Sequence, residues 1–199
     1  MKKLGSISFV LLPFYAALLV LPAHAQRYEE TFTGTVLSYG SGFNTRMATA
    51  PFTIQLKRET SADQASHFLT VLQDSGQDAL LKAISKEDVG NFSVGGNLAR
   101  TINAAVETNM NGQRRIYIVF ERWTRFAEVR GGYRSLDYPF GYIELNIDPN
   151  TGKGEGTYIA AAKIRWKGDG GTAGPHVEVE DFATYPARLL NVRTQRRNS

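Results

Sequence analysis

The sequence predicts an α+β, strand-rich domain: an antiparallel barrel or sandwich of about eight or nine strands with an inserted pair of helices at about 61–89. Apolar and polar residues alternate at period two over most of the chain, as they do when successive strand side chains point to opposite faces. The period lengthens to that of a helix only between 61 and 89, and Asn111-Gly112 is a tight-turn dipeptide between two apolar runs.

Phe32, Gly34 and Val36 alternate with Thr31, Thr33 and Thr35, and Phe52, Ile54 and Leu56 with Thr53, Gln55 and Lys57. Both runs read as half-buried strands. The stripe Ala65, Phe68, Leu69, Leu72 then has helical spacing; Ser61 with Gln64 forms a capping box and Gly76 a stop. A second helix carries Leu80, Leu81 and Ile84 and ends before Gly90. Strands at 102–106 and 116–120 flank the Asn111-Gly112 hairpin, and the second is apolar on both parities, so it is expected to be covered on both faces. Ile143, Leu145 and Ile147 form one further strand, and Ala162, Ile164 and Trp166 another; residues 148–156 make a turn by composition. Val177 and Val179, then Leu190 and Val192, complete the set.

Ahead of this domain, Lys2 and Lys3 precede an apolar run from 7 to 21, and Ala23-His24-Ala25 suits a signal peptidase. Residues 1–25 are therefore expected to be a cleaved signal peptide and 26–199 a single soluble domain, exported to the periplasm or beyond the cell. The run falls short of the ~20 residues that span a bilayer, so no membrane span is expected after cleavage.

The chain has no cysteine, which excludes disulfides, thiolate nucleophiles and Cys-ligated metals. Its formal charge of +4 includes Lys2 and Lys3; without them 21 basic residues face 19 acidic ones, too even a balance for nucleic-acid binding by bulk charge. The basic cluster Arg193, Arg196, Arg197 reads as a frayed, solvated tail.

Several stretches resemble a group of uncharacterised secreted proteins from soil-type bacteria: GQDALLKAI at 76–84, DVG at 88–90, DYPFGYIEL at 137–145, GKGEGTY at 152–158 with AAKI at 161–164, and LLNVR at 189–193. The resemblance implies an exported, recurring module and brings no catalytic residues with it.

No familiar catalytic or cofactor signature survives inspection, and no metal or cofactor is expected. His67 falls opposite the apolar helical stripe and is expected on the surface. His176 and Glu178 share a strand face, but two ligands do not make a metal site. The Asp148-Pro-Asn150 opening of a calcium loop fails at Lys153 and Ile159, where Gly and Glu are required. Residues 168–173 match G-x-G-x-x-A, yet Pro175 and a strand follow where a dinucleotide site needs a helix.

One segment stands out by composition. Trp123, Arg125, Phe126, Tyr133, Arg134 and Tyr138 mix aromatics with guanidinium groups in a loop-rich stretch, types that together stack apolar or sugar faces and hold anions. These six are the candidate ligand-binding residues; the competing reading makes them a cap on the core. Two functions follow: a non-catalytic exported domain that binds a small molecule, a glycan or an envelope partner, or a secreted hydrolase using paired carboxylates.

Overall fold

The computed structural model describes residues 29–39, 46–123, 126–168, 175–182 and 185–197; the expected leader and the cut before Gln26 lie outside them. The described chain runs β1 (Glu29–Ser38), β2 (Ala48–Leu56), α1 (Ala62–Ile84), β3 (Gly90–Val94), β4 (Arg100–Ile102), β5 (Ala104–Met110) and β6 (Gln113–Glu121). It continues through α2 (Phe126–Gly131), a 3-10 turn at Arg134–Asp137, β7 (Phe140–Ile147), β8 (Lys153–Lys167), β9 (His176–Asp181) and β10 (Ala187–Arg197).

Ten strands form one antiparallel sheet in the order β4-β3-β2-β1-β10-β8-β7-β6-β5, curled into a nearly closed barrel, with β9 on the far half of β8. The barrel alternative of the sequence reading thus holds over the sandwich. Backbone bonds bring the two edges together: the Asn103 amide donates to Val119 O (3.1 Å) and the Thr60 amide to Ala105 O (2.8 Å). Thr60 Oγ1 in turn accepts from the Ala105 amide at 2.9 Å.

Each sequence signal has a local physical counterpart. The Ser61 hydroxyl accepts from the Gln64 amide while the Gln64 side chain reaches back to the Ser61 amide, so the capping box is present. At Gly76 the backbone takes φ 78° and ψ −172°, a conformation that interrupts helical geometry and divides α1 into the expected pair. Asn111 and Gly112, at φ 55° and 77°, turn β5 into β6.

Three expectations need correction. The run at 102–106 is not one strand, because Asn103 breaks it: its side chain donates to Glu87 O (2.9 Å) and accepts from the Glu121 amide (2.8 Å), pinning the corner between β4 and β5. In the last strand the inward residues are Leu189 and Val192, because the register shifts between them and Asn191 adopts φ 54°. The basic tail is not frayed: 193–197 belong to β10 and pair with β1, Arg197 opposite Glu29.

Two apolar clusters result. One fills the barrel, with Phe32, Ile54, Leu56, Ile116, Ile118 and Phe120 among its members. The other lies between α1 and the outer wall, where Leu72, Leu80 and Ile84 meet Tyr142, Ile159 and Ile164. At about 1.5–3 kcal/mol per fully buried large side chain, such clusters can hold the fold without staples. β6 is covered on both faces as expected, since Ile116, Ile118 and Phe120 point inward while Tyr117 and Val119 pack against the second cluster. Among the described residues no helix is long and apolar enough to cross a membrane.

Candidate functional site

The two ends of the barrel are built from opposite materials. Glu30 on β1 and Arg114 on β6 occupy inward-facing positions, in parity with Phe32 and Ile116, although three strands, β10, β8 and β7, separate β1 from β6 in the sheet order. The Arg114 guanidinium therefore reaches across the lumen, donating to both Glu30 oxygens at 2.9 Å. It also donates to both oxygens of Glu107, at 2.7 and 2.5 Å, and the Thr194 hydroxyl donates to Glu30 at 2.5 Å. The hydrogen bonds to Glu107 raise the already high pKa of Arg114, against the effect of burial and together with those to Glu30. This end is closed, and its ionised groups are engaged with one another.

The other end opens into a cavity of about 630 Å³. Val36, Phe92, Val94 and Tyr158 form its apolar floor, with Phe92 packed edge-on against Tyr158 at 5.1 Å between ring centroids. Its rim carries Tyr39, Leu98, Trp123, Phe182 and Tyr185, five of the nine large hydrophobic side chains that are exposed among the described residues. That concentration marks the rim as a surface with apolar contacts to spare. Tyr39 and Tyr185 lie 6.0 Å apart across it.

Polar groups at this mouth are few: Ser38, Ser93, Asn97, Arg100 and Asp181. Arg100 is the one that combines a full charge with an aromatic platform, its guanidinium lying 5.1 Å from the centroid of Trp123. It makes no ion pair among the described residues. Burial raises the pKa of the Tyr158 phenol, partly offset by Arg100 nearby. Among the described residues the site is thus an apolar bowl with aromatic walls and one cation, Arg100, on its edge.

Of the six residues singled out by sequence, Trp123 lines this mouth and is 56% exposed, which rules out its being a core cap. Tyr138 does not line it. It is 4% exposed, donates its hydroxyl to Glu180, and presses its ring on Phe182 at 5.2 Å, so it braces the rim from behind. Tyr133 is exposed just before the 3-10 turn and is not among the mouth residues. Arg125 lies outside the described residues, as do the side chains of Phe126 and Arg134, whose backbones belong to α2 and the 3-10 turn. Neighbouring Arg122 is structural: it is buried and donates to the carbonyls of Tyr138 (2.6 Å) and Ser135 (2.7 Å), tying the loop to the end of β6.

Arg100, Leu98, Phe182 and Tyr185 escaped the sequence reading because they come from two parts of the chain, 98–100 and 182–185, both distant from Trp123. The available signal was a set of large apolar residues in short turns, Leu98 in Gly-Gly-Asn-Leu and Tyr185 in Ala-Thr-Tyr-Pro, where burial by a strand pattern is ruled out. His67 is exposed as expected, and no cluster of three or more potential metal ligands occurs among the described residues. Comparisons with protein families, with curated proteins and with solved structures found no match to this chain.

Proposed function

We propose that this protein is an exported, non-catalytic binding domain whose barrel mouth holds a small amphipathic molecule. Its apolar body would rest on Phe92 and Tyr158 between the rim aromatics, and its anionic or acceptor-rich head would meet Arg100. The observation that carries this reading is the convergence, among the described residues, of five exposed apolar side chains and the Arg100 guanidinium on a single 630 Å³ opening. Ligand pockets of roughly 300–1,000 Å³, mostly apolar with a few placed polar groups, sit characteristically in barrel mouths. A concave bowl favours a compact molecule over a glycan polymer or a flat protein partner. The paired-carboxylate hydrolase is less well supported, since Asp181 is the one carboxylate among the described residues lining the bowl. Export rests on Lys2, Lys3, the apolar run and Ala23-His24-Ala25, and amino-terminal sequencing of secreted material should begin at Gln26.

Trp123 supplies the reporter. In a Trp166→Phe background it is the sole tryptophan, and an anionic naphthalene sulfonate dye should quench it on binding. Arg100→Ala should weaken that dye by roughly tenfold, about 1.4 kcal/mol, as loss of a charge-assisted contact does. Trp123→Ala, followed by dye fluorescence, should weaken it comparably while shifting stability by less than about 0.5 kcal/mol, as at other surface sites. Unchanged dye affinity in both variants would dispose of the mouth as the site.

A further inference from the structure

A second cavity, of about 150 Å³, lies between α1 and the outer wall of the barrel, on the opposite side of the sheet from the mouth. Phe68, Leu69 and Leu72 form its helical wall; Val106, Val119 and Val179 face them from the strands. The polar atoms on its side chains are the phenol oxygens of Tyr117 and Tyr142. The Tyr142 hydroxyl is already committed to Glu144 at 3.5 Å, and burial first, then Glu144, keeps that phenol neutral by raising its pKa. Glu144 in turn faces Arg115 at 3.9 Å, and neither charged residue lines the cavity itself.

Water needs two to four polar partners to settle in a cavity, and this one supplies few; apolar cavities of about this volume take up benzene or xenon instead. We propose that this space is a second ligand site, distinct from the barrel mouth, for a compact uncharged hydrocarbon group no larger than about one aromatic ring. A charged molecule meets no charged side chain in the lining and loses its hydration. The wall is also built to admit a guest. The break at Gly76 divides α1 into two halves that both line the cavity: Leu72 before it and Leu80 and Ile84 after it are buried, whereas Phe68 and Leu69 are half-buried. The half-buried Phe68 and Leu69 are the wall residues nearest solvent and the place where a guest would enter.

The test is the thermal transition of the protein with benzene as probe, supported by xenon-129 NMR. Benzene at ten times its dissociation constant should raise the Tm by about 3–5 °C. Ala65→Phe, which projects a ring into the cavity from α1, should abolish that rise and the bound-xenon signal. Val106→Phe fills the same space from β5 and serves if the helical variant does not fold. Arg100→Ala should leave the benzene response intact, because it alters only the mouth. The inference is overturned if benzene gives no shift, if the shift survives a folded filling variant, or if Arg100→Ala removes it. Loss of dye binding at the mouth with an unchanged benzene response would tell the two sites apart, as would the reverse.

Discussion

At one end of the barrel Glu30, Arg114, Glu107 and Thr194 join across the lumen; at the other, Trp123, Phe182, Tyr185, Leu98 and Tyr39 stand around an opening. Charged residues close the barrel, and apolar ones leave it open. This inverts the usual distribution, in which charges face water and aromatics fill the core. Full pairing makes the inversion possible at the closed end, because a buried carboxylate that accepts from a guanidinium and a hydroxyl loses little hydrogen bonding on leaving water. At the open end the rim aromatics keep large apolar faces exposed despite their few contacts with Arg100, Tyr138 and one another, and a ligand is the natural means of covering them.

The largest expected effect comes from breaking the closed end. Arg114→Ala strands Glu30, whose side chain is fully buried, together with Glu107, and should cost about 3–5 kcal/mol in denaturant unfolding at neutral pH. The loss should shrink in acid, where a stranded carboxylate can take up a proton and become neutral. Replacing the pair together, as Glu30→Leu with Arg114→Met, should recover most of the stability, since a well-packed apolar pair commonly matches a buried ion pair. If Arg114→Ala costs under about 1 kcal/mol, in the range of an exposed pair, the plug is wetter than its contacts imply.

Added side-chain bulk distinguishes the two halves on a smaller scale. Gly156 on β8 faces inward opposite Leu145, and a Cβ there would lie 2.3 Å from the Glu144 carbonyl oxygen and 2.9 Å from the Leu145 side chain. Gly156→Ala should therefore cost about 1–3 kcal/mol as the wall is forced apart. Ala160→Val, on the same strand but exposed at the mouth, should change stability by no more than about 0.5 kcal/mol. Equal costs for the two would show that the mouth is as tightly packed as the interior, and that the bowl is not free to receive anything.

The closed end shows what kind of feature a sequence conceals. The capping box at Ser61, the break at Gly76 and the Asn111-Gly112 turn depend on neighbours within a few residues and were legible. Glu30 and Arg114 are 84 residues apart, and each reads in isolation as the solvated end of a strand. Parity was the clue, since Glu30 keeps step with Phe32 and Arg114 with Ile116, but a charge in step with an apolar row signals burial only when its partner is known. The mouth was partly legible for the same reason. Trp123 drew notice because arginines and aromatics crowd around it, whereas barrel closure alone brings it beside Arg100 and near Tyr185. Tyr138 shared the composition of a binding residue and serves instead as a brace, because the Glu180 carboxylate on β9 is placed to receive its hydroxyl.

The smallest expected effect lies at the open end and appears only in alkali. Tyr158 lines the floor of the bowl, and burial raises its pKa above the ordinary 10.0. A phenol with a raised folded-state pKa contributes a constant amount to stability below pH 10, then loses it as pH climbs from the unfolded pKa through the folded one, because the unfolded chain ionises first. Tyr158→Phe should therefore match the parent within about 0.5 kcal/mol near pH 8 and exceed it in urea unfolding near pH 11. Tyr142, whose pKa burial also raises, keeps part of the alkaline loss in place, so the Tyr158 variant should reduce the slope without flattening it. Dye binding gives the second measurement: a phenolate beside Arg100 competes with an anionic head group, so parent affinity should fall above pH 10 while the variant's falls less. Identical curves for parent and variant would mean that Tyr158 ionises as it would in water. The floor would then be solvated, and the contrast between an ion-sealed end and an apolar, ligand-ready end would lose its basis.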